Sequence, residues 1–140
     1  MSPQFLTIAL SGLLAAVAPA DDPTKNDTEK LQGTWVVESL AEDGKDEGKS
    51  KGNKLVFAAG KLTLKRKPGQ KDFEGKYEVV DAAKRPKSIN VTLKKAQMLG
   101  IYEFDGKRLR LCLGEPGKGR PSAFKATPDW ILIVLTREEP

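Results

Sequence analysis

The sequence contains no histidine and only one cysteine among its 140 residues. Histidine is the commonest general base and a preferred metal ligand, so its absence removes the usual centre of an acid–base or zinc site. A single cysteine cannot form a disulfide within the chain. The carboxylates fall mainly in turns and at polar positions of alternating segments. We therefore expect a protein that is not an enzyme, with no cofactor and no metal site.

Long apolar runs are also scarce, and the one present covers residues 6–18. It is shorter than the roughly 18 to 20 residues that a membrane-spanning helix needs. It ends at Ala18-Pro19-Ala20, the small-residue pattern at which signal peptidase cleaves. Residues 1–20 are therefore predicted to be a signal peptide cleaved near Ala20, and the protein to be secreted or periplasmic and not membrane-spanning. The alternative is a chance apolar run, since no Lys or Arg precedes it.

After the apolar run, residues 21–28 are polar and are predicted to form a flexible tether. Asn26 and Glu29 have the spacing of a capping box, which predicts one or two helical turns that end at Gly33. Residues 29–138 are predicted to form one domain, because this length suits a single modest core.

Helical periodicity is absent beyond Gly33, and eight segments instead alternate apolar and polar residues. Asp105-Gly106 is a two-residue hairpin signal, and other short turn clusters indicate that neighbouring segments pair in antiparallel fashion. The predicted fold is all-β, a closed eight-stranded antiparallel up-and-down barrel after a short N-terminal helical turn. Closure is favoured because it leaves no exposed strand edge.

The alternation places apolar side chains inside the barrel and charged ones outside. Trp35, Val37 and Ser39 are predicted to share one face of the first strand. The last segment, 130–136, is apolar on both faces, so its outer face needs cover from segment 114–129 or from Leu31.

Three residues resemble the lipocalin pattern. Gly33 and Trp35 lie near the start of the first predicted strand, and Arg137 follows the last one. The resemblance implies a lipocalin-like barrel in which the arginine packs across the indole and closes one end. These three residues are then structural, and a ligand would enter at the opposite end. The first long loop departs from the pattern, since it has almost no apolar residues to form a lid.

Three longer motifs resemble an uncharacterised secreted domain family abundant in planctomycete bacteria. They lie at 30–35 (KLQGTW), 98–102 (MLGIY) and 111–121 (LCLGEPGKGRP). The resemblance covers nearly all of residues 29–138. It implies the fold but no established activity.

The interior of an eight-stranded barrel is either filled by side chains or just wide enough for one small ligand. Both alternatives remain open on the sequence, and two interior tyrosines would supply polar groups to a pocket. The candidate cavity residues are Val37, Phe57, Leu64, Tyr77, Val91, Tyr102, Leu111 and Ile133. The first hypothesis is a non-catalytic secreted binding module for a small apolar or amphipathic ligand. The alternative is an extracytoplasmic interaction or structural domain with a filled barrel, which contacts partners or envelope polymers through its surface and long loops.

The net charge of +5 comes from basic residues on outward positions and turns. Aromatic residues are not interleaved with them, so a nucleic-acid partner is not expected. Weak contact with anionic envelope components is the partner that this charge favours, and solubility alone is the simpler interpretation. Cys112 is predicted to face outward, as a reactive thiol beside Arg110 or, more simply, as a small residue beneath the long 114–129 segment.

Overall fold

The protein is described by a computed structural model covering residues 22–43, 45 and 48–138. Over these residues it has one helix and eight strands. They are α1 (Pro23–Leu31), β1 (Gly33–Glu42), β2 (Lys54–Ala58), β3 (Lys61–Lys65), β4 (Phe73–Asp81), β5 (Lys87–Leu93), β6 (Ala96–Asp105), β7 (Arg108–Gly114) and β8 (Trp130–Arg137). No helix in this part of the chain is long and apolar enough to cross a membrane. The predicted signal peptide lies outside the described residues.

Each strand pairs antiparallel with its neighbours in the sequence, and β8 pairs back with β1 to close the barrel. The predicted closed eight-stranded up-and-down barrel is therefore confirmed. Every strand has two partners, so no row of unpaired backbone groups is left along an edge.

The helix begins at Pro23, earlier than predicted. The prediction of a flexible tether over 21–28 is therefore wrong for residues 23–28, which are helical. Asp22 is the N-cap, and its carboxylate accepts from the backbone N–H of Thr24 at 3.0 Å and of Lys25 at 3.3 Å. Pro23 follows at the first helical position, where its fixed φ suits the helix and its missing N–H costs nothing. This pair is a stronger start signal than the capping box predicted at Asn26.

A bulge in β1 changes which side chains face inward. The register of β1 on β8 shifts between Val37 and Ser39. On the other side of β1, the backbone N–H of Val37 donates to the Asn53 carbonyl at 2.8 Å, and the Gly52 N–H donates to the Val37 carbonyl at 2.9 Å. Beyond the bulge it is Leu40 that packs against the core. The predicted alternation therefore holds through Val37 but is wrong for Ser39.

The long segment between β7 and β8 lies against the outside of the barrel. Cys112 is fully buried beneath it, with Sγ 3.3 Å from the Lys125 carbonyl oxygen. Arg120 reaches back and donates to the Gly100 carbonyl at 2.8 Å. The prediction for Cys112 as a small residue under this segment is confirmed. Leu31 does not share the covering role, because it is fully buried within the core cluster at one end of the barrel.

Candidate functional site

The barrel end at the start of β1 is sealed by an arginine stacked on a tryptophan. The Arg137 guanidinium carbon lies 4.2 Å from the centre of the Trp35 ring. Its Nη1 donates to the Gln32 carbonyl at 2.8 Å, and its Nη2 donates to the Lys30 carbonyl. The Trp35 indole N–H donates to the Leu31 carbonyl at 2.9 Å. These carbonyls at the end of α1 lack helical partners, so the pair closes the barrel and caps the helix together.

Gly33 is required at this end for two reasons. Its φ is +122°, a backbone conformation that side-chain-bearing residues rarely adopt. A Cβ at this position would also lie only 2.8 Å from Arg137 Nη1. The structure thus brings Gly33, Trp35 and Arg137 into direct contact.

Aromatic rings fill the half of the interior next to this seal, which we call the sealed half. Phe57 and Tyr77 meet edge to face with ring centres 4.9 Å apart, and Tyr102 and Phe104 do so at 5.8 Å. Trp35 lies 6.3 Å from Phe104. Phe57, Tyr77 and Tyr102 were predicted to line a cavity. That prediction is wrong in their case, because their rings occupy the space themselves.

A buried carboxylate fastens α1 to the sealed half. Asp27 is only 4% exposed, and it accepts from Lys87 Nζ at 2.8 Å and from the Tyr102 hydroxyl at 2.7 Å. Burial raises the pKa of Tyr102 well above its ordinary value, and the hydrogen bond to Asp27 raises it further. Tyr102 therefore stays protonated and acts as a structural donor. The three groups satisfy one another, so this cluster is an anchor and does not offer a reactive group.

The other half of the interior, the open half, contains a cavity of about 160 Å³ with an almost entirely aliphatic wall. We call it the barrel cavity. Five of the predicted residues line it: Val37, Leu64, Val91, Leu111 and Ile133. Sequence reasoning missed the others: Leu40, Ser50, Asn53, Leu55, Leu62, Leu93, Met98, Leu113 and Ile131. The cavity exists because aliphatic side chains reach less far toward the barrel axis than the rings of the sealed half.

One side chain in the wall has a buried polar atom without a hydrogen-bond partner among the described residues. Asn53 is 8% exposed, and its Oδ1 is buried without a hydrogen-bond donor among the described residues. A signal for its inward position was present in the sequence. Asn53 stands two residues before Leu55 and four before Phe57, so the alternation of β2, extended backwards, places it on the inner face.

Two residues of the cavity wall, Leu40 and Ser50, also face the outside of the barrel. These two residues also line an external pocket of about 230 Å³ that is bounded by Glu42, Lys45 and Lys49. Both lie near the loop that connects β1 and β2, at the far end of the barrel from Trp35 and Arg137. The cavity and the external pocket are therefore neighbours at this end of the barrel.

Fold and interior together define a small closed β-barrel that is filled at one end and hollow at the other. Within the part of the chain that the structure describes, no group of three or more His, Cys, Asp or Glu side chains could hold a metal ion. Comparison with known proteins finds no matching family model, no matching curated protein and no matching solved structure.

Proposed function

We propose that this protein is a non-catalytic binding module that takes a small apolar or amphipathic molecule into the barrel cavity. The observation that carries the proposal is an aliphatic cavity of about 160 Å³ beside a filled half. An apolar cavity of about 150 Å³ can bind benzene, whereas pockets for drug-sized ligands measure roughly 300 to 1,000 Å³. The ligand, or the part of it that enters, is therefore about the size of one ring or a short alkyl chain.

The proposal includes export. The apolar run and the A-x-A pattern before Asp21 support cleavage near Ala20 and a secreted or periplasmic location. The three motifs that resemble a secreted planctomycete domain family are consistent with it. An exported barrel of this kind would bind a small molecule outside the cytoplasm.

The test is an NMR titration of the protein with toluene, read on its labelled leucine methyl groups. We expect shifts at Leu64 and Leu111, which line the cavity, and none at Leu109 and Leu135, which are buried outside it. Leu111→Phe, which places a larger side chain in the cavity, should reduce the shifts. Native mass spectrometry of the purified protein should show a co-purified small hydrophobe. The proposal fails if nothing co-purifies and millimolar toluene moves no cavity methyl.

A second candidate is an interaction domain that contacts anionic envelope components. Basic side chains at the open end of the barrel, among them Arg66 and Lys94, favour it. Lys94 Nζ lies 3.6 Å from the centre of the Phe73 ring, and the Arg66 guanidinium lies 5.2 Å from it. Such a surface should sediment with phosphatidylglycerol vesicles at low salt and not with phosphatidylcholine vesicles. Lys94→Glu with Arg66→Glu should abolish this binding without affecting toluene. Equal binding to both vesicle types would exclude an electrostatic contact.

A further inference from the structure

We infer that the protein has a second binding site, for a small aromatic anion such as an aryl carboxylate, at the rim of the sealed end. The site is a recess of about 280 Å³, which we call the basic recess. It lies where the end of α1, the segment before β5, the end of β6 and the segment between β7 and β8 meet. It shares no lining residue with the barrel cavity. Six of its side chains determine its chemistry: Lys30, Arg85, Lys87, Glu103, Phe104 and Phe124.

Cations outnumber carboxylates in the lining of the basic recess. Three of the six side chains are basic, and the one carboxylate belongs to Glu103. Glu103 is already in an ion pair with Arg110, which does not line the recess. Lys87 is balanced by Asp27, with Nζ 2.8 Å from Oδ2. The charge of the other two basic side chains is therefore left without a counter-ion from the recess itself.

These two side chains are Lys30 and Arg85. Neither forms an ion pair with a carboxylate among the described residues. Arg85 donates through Nη1, to the Ala82 carbonyl at 3.3 Å and to the Lys84 carbonyl at 3.1 Å. These contacts orient the guanidinium and leave the donors on Nε and Nη2 for another acceptor. A guanidinium binds a planar carboxylate through two parallel hydrogen bonds, which favours a carboxylate as the anionic group of the ligand.

Aromatic rings line the same recess. The Nζ atoms of Lys30 and Lys87 lie 5.2 Å and 5.7 Å from the centre of the Phe104 ring, so two ammonium groups converge on one ring. The ring attracts each of them, but they repel one another, and a bound anion would offset that repulsion. Phe104 and Phe124 are both partly exposed, so a ligand ring gains apolar contact by covering them. A simple anion would leave these rings in contact with water, whereas an aromatic anion uses both the charge and the rings.

The basic recess and the barrel cavity select ligands of different charge. Among the described residues, no basic side chain lines the barrel cavity, so an anion buried there would be strongly unfavourable. At the recess Lys30 and Arg85 are exposed, and a bound anion keeps part of its hydration. The Lys87 side chain beside them is only 18% exposed and is fixed by Asp27. A site that is already formed loses less conformational freedom when the ligand binds.

The test compares three ligands by NMR titration at low ionic strength, read on the backbone amides of Phe104 and Phe124. Benzoate has both the ring and the charge, benzamide has nearly the same shape without the charge, and acetate has the charge without the ring. Since benzoate alone uses both features of the recess, we expect it to bind about tenfold more tightly than either of the others.

Variants of the wall then locate the site. Lys30→Gln with Arg85→Gln should raise the benzoate Kd about tenfold, as the loss of two partly solvated ion pairs predicts. The matched control is Lys65→Gln with Lys71→Gln, which removes the same net charge at exposed positions of the open end. It should change the benzoate Kd by less than about twofold, because distant charges are screened. Phe124→Leu should raise the benzoate Kd about threefold and leave the acetate Kd unchanged.

Several results would overturn the inference. Benzoate that shifts neither amide, or acetate or benzamide that binds as tightly as benzoate, would show that the recess is not a site for an aromatic anion. Equal weakening by the control pair would mean that benzoate responds only to net charge. Should the variant of Lys30 and Arg85 not fold, the comparison of the three ligands on the wild type still decides the matter.

The same titrations keep this site distinct from the barrel cavity. Toluene, read on the methyl groups of Leu64 and Leu111, tests the cavity, and benzoate should leave those methyl groups unmoved. Binding of toluene without benzoate would overturn the second site alone. Binding of benzoate without toluene would overturn the proposed function alone.

Discussion

The two halves of the barrel interior are built from different side chains, although the same eight strands surround both. The sealed half contains aromatic rings, and its polar atoms are paired, as Arg137 is with the end of α1 and Asp27 is with Lys87. The open half is aliphatic, contains a cavity and leaves the Asn53 oxygen without a donor. Dense packing and satisfied polar groups stabilise a fold, whereas a cavity and an unpaired acceptor weaken it. The sealed half therefore supplies the stability that the open half lacks.

The division follows from where each aromatic residue falls along its strand. Trp35 lies near the start of β1, Phe57 near the end of β2, and Phe104 near the end of β6. Because neighbouring strands run in opposite directions, these positions all lie at the same end of the barrel. The cavity is present because the large aromatic side chains lie at one end of the barrel axis and smaller aliphatic side chains lie at the other.

The largest effect in the sealed half is expected from Trp35→Ala. Trp35 is only 2% exposed, and truncating a buried aromatic residue costs about 3 to 5 kcal/mol. Urea unfolding measures the loss. The matched control is Trp130→Ala at the opposite end, where the indole is less completely buried and the expected loss is smaller. Equal losses for the two tryptophans would mean that the sealed half is not where stability is concentrated.

Tyr102→Phe is expected to lower the free energy of unfolding by about 1.5 to 3 kcal/mol, because it removes a hydrogen bond to a buried charge. It should also change the pH dependence. The pKa of Tyr102 in the folded protein is raised above its ordinary value of 10.0, chiefly by burial. Its contribution to stability is therefore complete below about pH 10 and is lost as the pH rises further, since the unfolded chain releases the proton and the folded one retains it.

Urea midpoints measured between about pH 8 and pH 11 test this second part. The wild type should lose stability above pH 10 more steeply than Tyr102→Phe does. Tyr77, whose pKa burial also raises, is present in both proteins and cancels from the comparison. Parallel profiles for the two proteins would show that the Tyr102 hydroxyl is not buried against Asp27.

The sequence was sufficient to predict the barrel, because the signals for it are local. Alternation of apolar and polar residues defines each strand, and short turns such as Asp105-Gly106 define the pairing of neighbours. Alternation also identified Leu64, Val91 and Leu111 as inward-facing, and the structure places all three in the cavity wall.

The position of a side chain along the barrel axis could not be predicted in the same way. Alternation separates side chains that face the interior from those that face outward. The position of an inward side chain along the barrel axis depends on the register between strands, which is set by hydrogen bonds between residues far apart in the sequence. Tyr77 and Tyr102 face inward as predicted, yet the register places them beside the seal. The bulge that turns Leu40 inward lies in the pairing of β1 with β8, where Val37 is opposite Leu135 and Ser39 is opposite Val134, at the other end of the domain sequence. Periodicity within one strand carries no information about such a contact.

Arg137→Ala is expected to have a smaller effect than Trp35→Ala, about 1 to 2 kcal/mol. It removes the stacking on Trp35 and two hydrogen bonds to carbonyls at the end of α1. Amide hydrogen exchange in α1 should accelerate more than exchange in β7, because the helix loses its cap. Arg137→Lys should give an intermediate loss, since it keeps the charge without the planar fork. A lysine variant as stable as the wild type would show that charge alone closes this end.

The smallest expected effect, and the one that separates the two halves most directly, is a gain of about 0.5 to 1 kcal/mol from Leu111→Phe. Leu109 and Leu111 are two residues apart on the same face of β7 and both are fully buried, but only Leu111 borders the cavity. A larger ring at Leu111 can occupy empty volume, whereas the same change at Leu109 must displace close-packed neighbours and should cost about 1 to 3 kcal/mol. Urea unfolding of the two variants gives both values. The two substitutions change the free energy of unfolding in opposite directions only if the interior is filled at one end and hollow at the other. Destabilisation of similar size in both variants would mean that the open half is as densely packed as the sealed half, and the cavity would then be too small for a ligand.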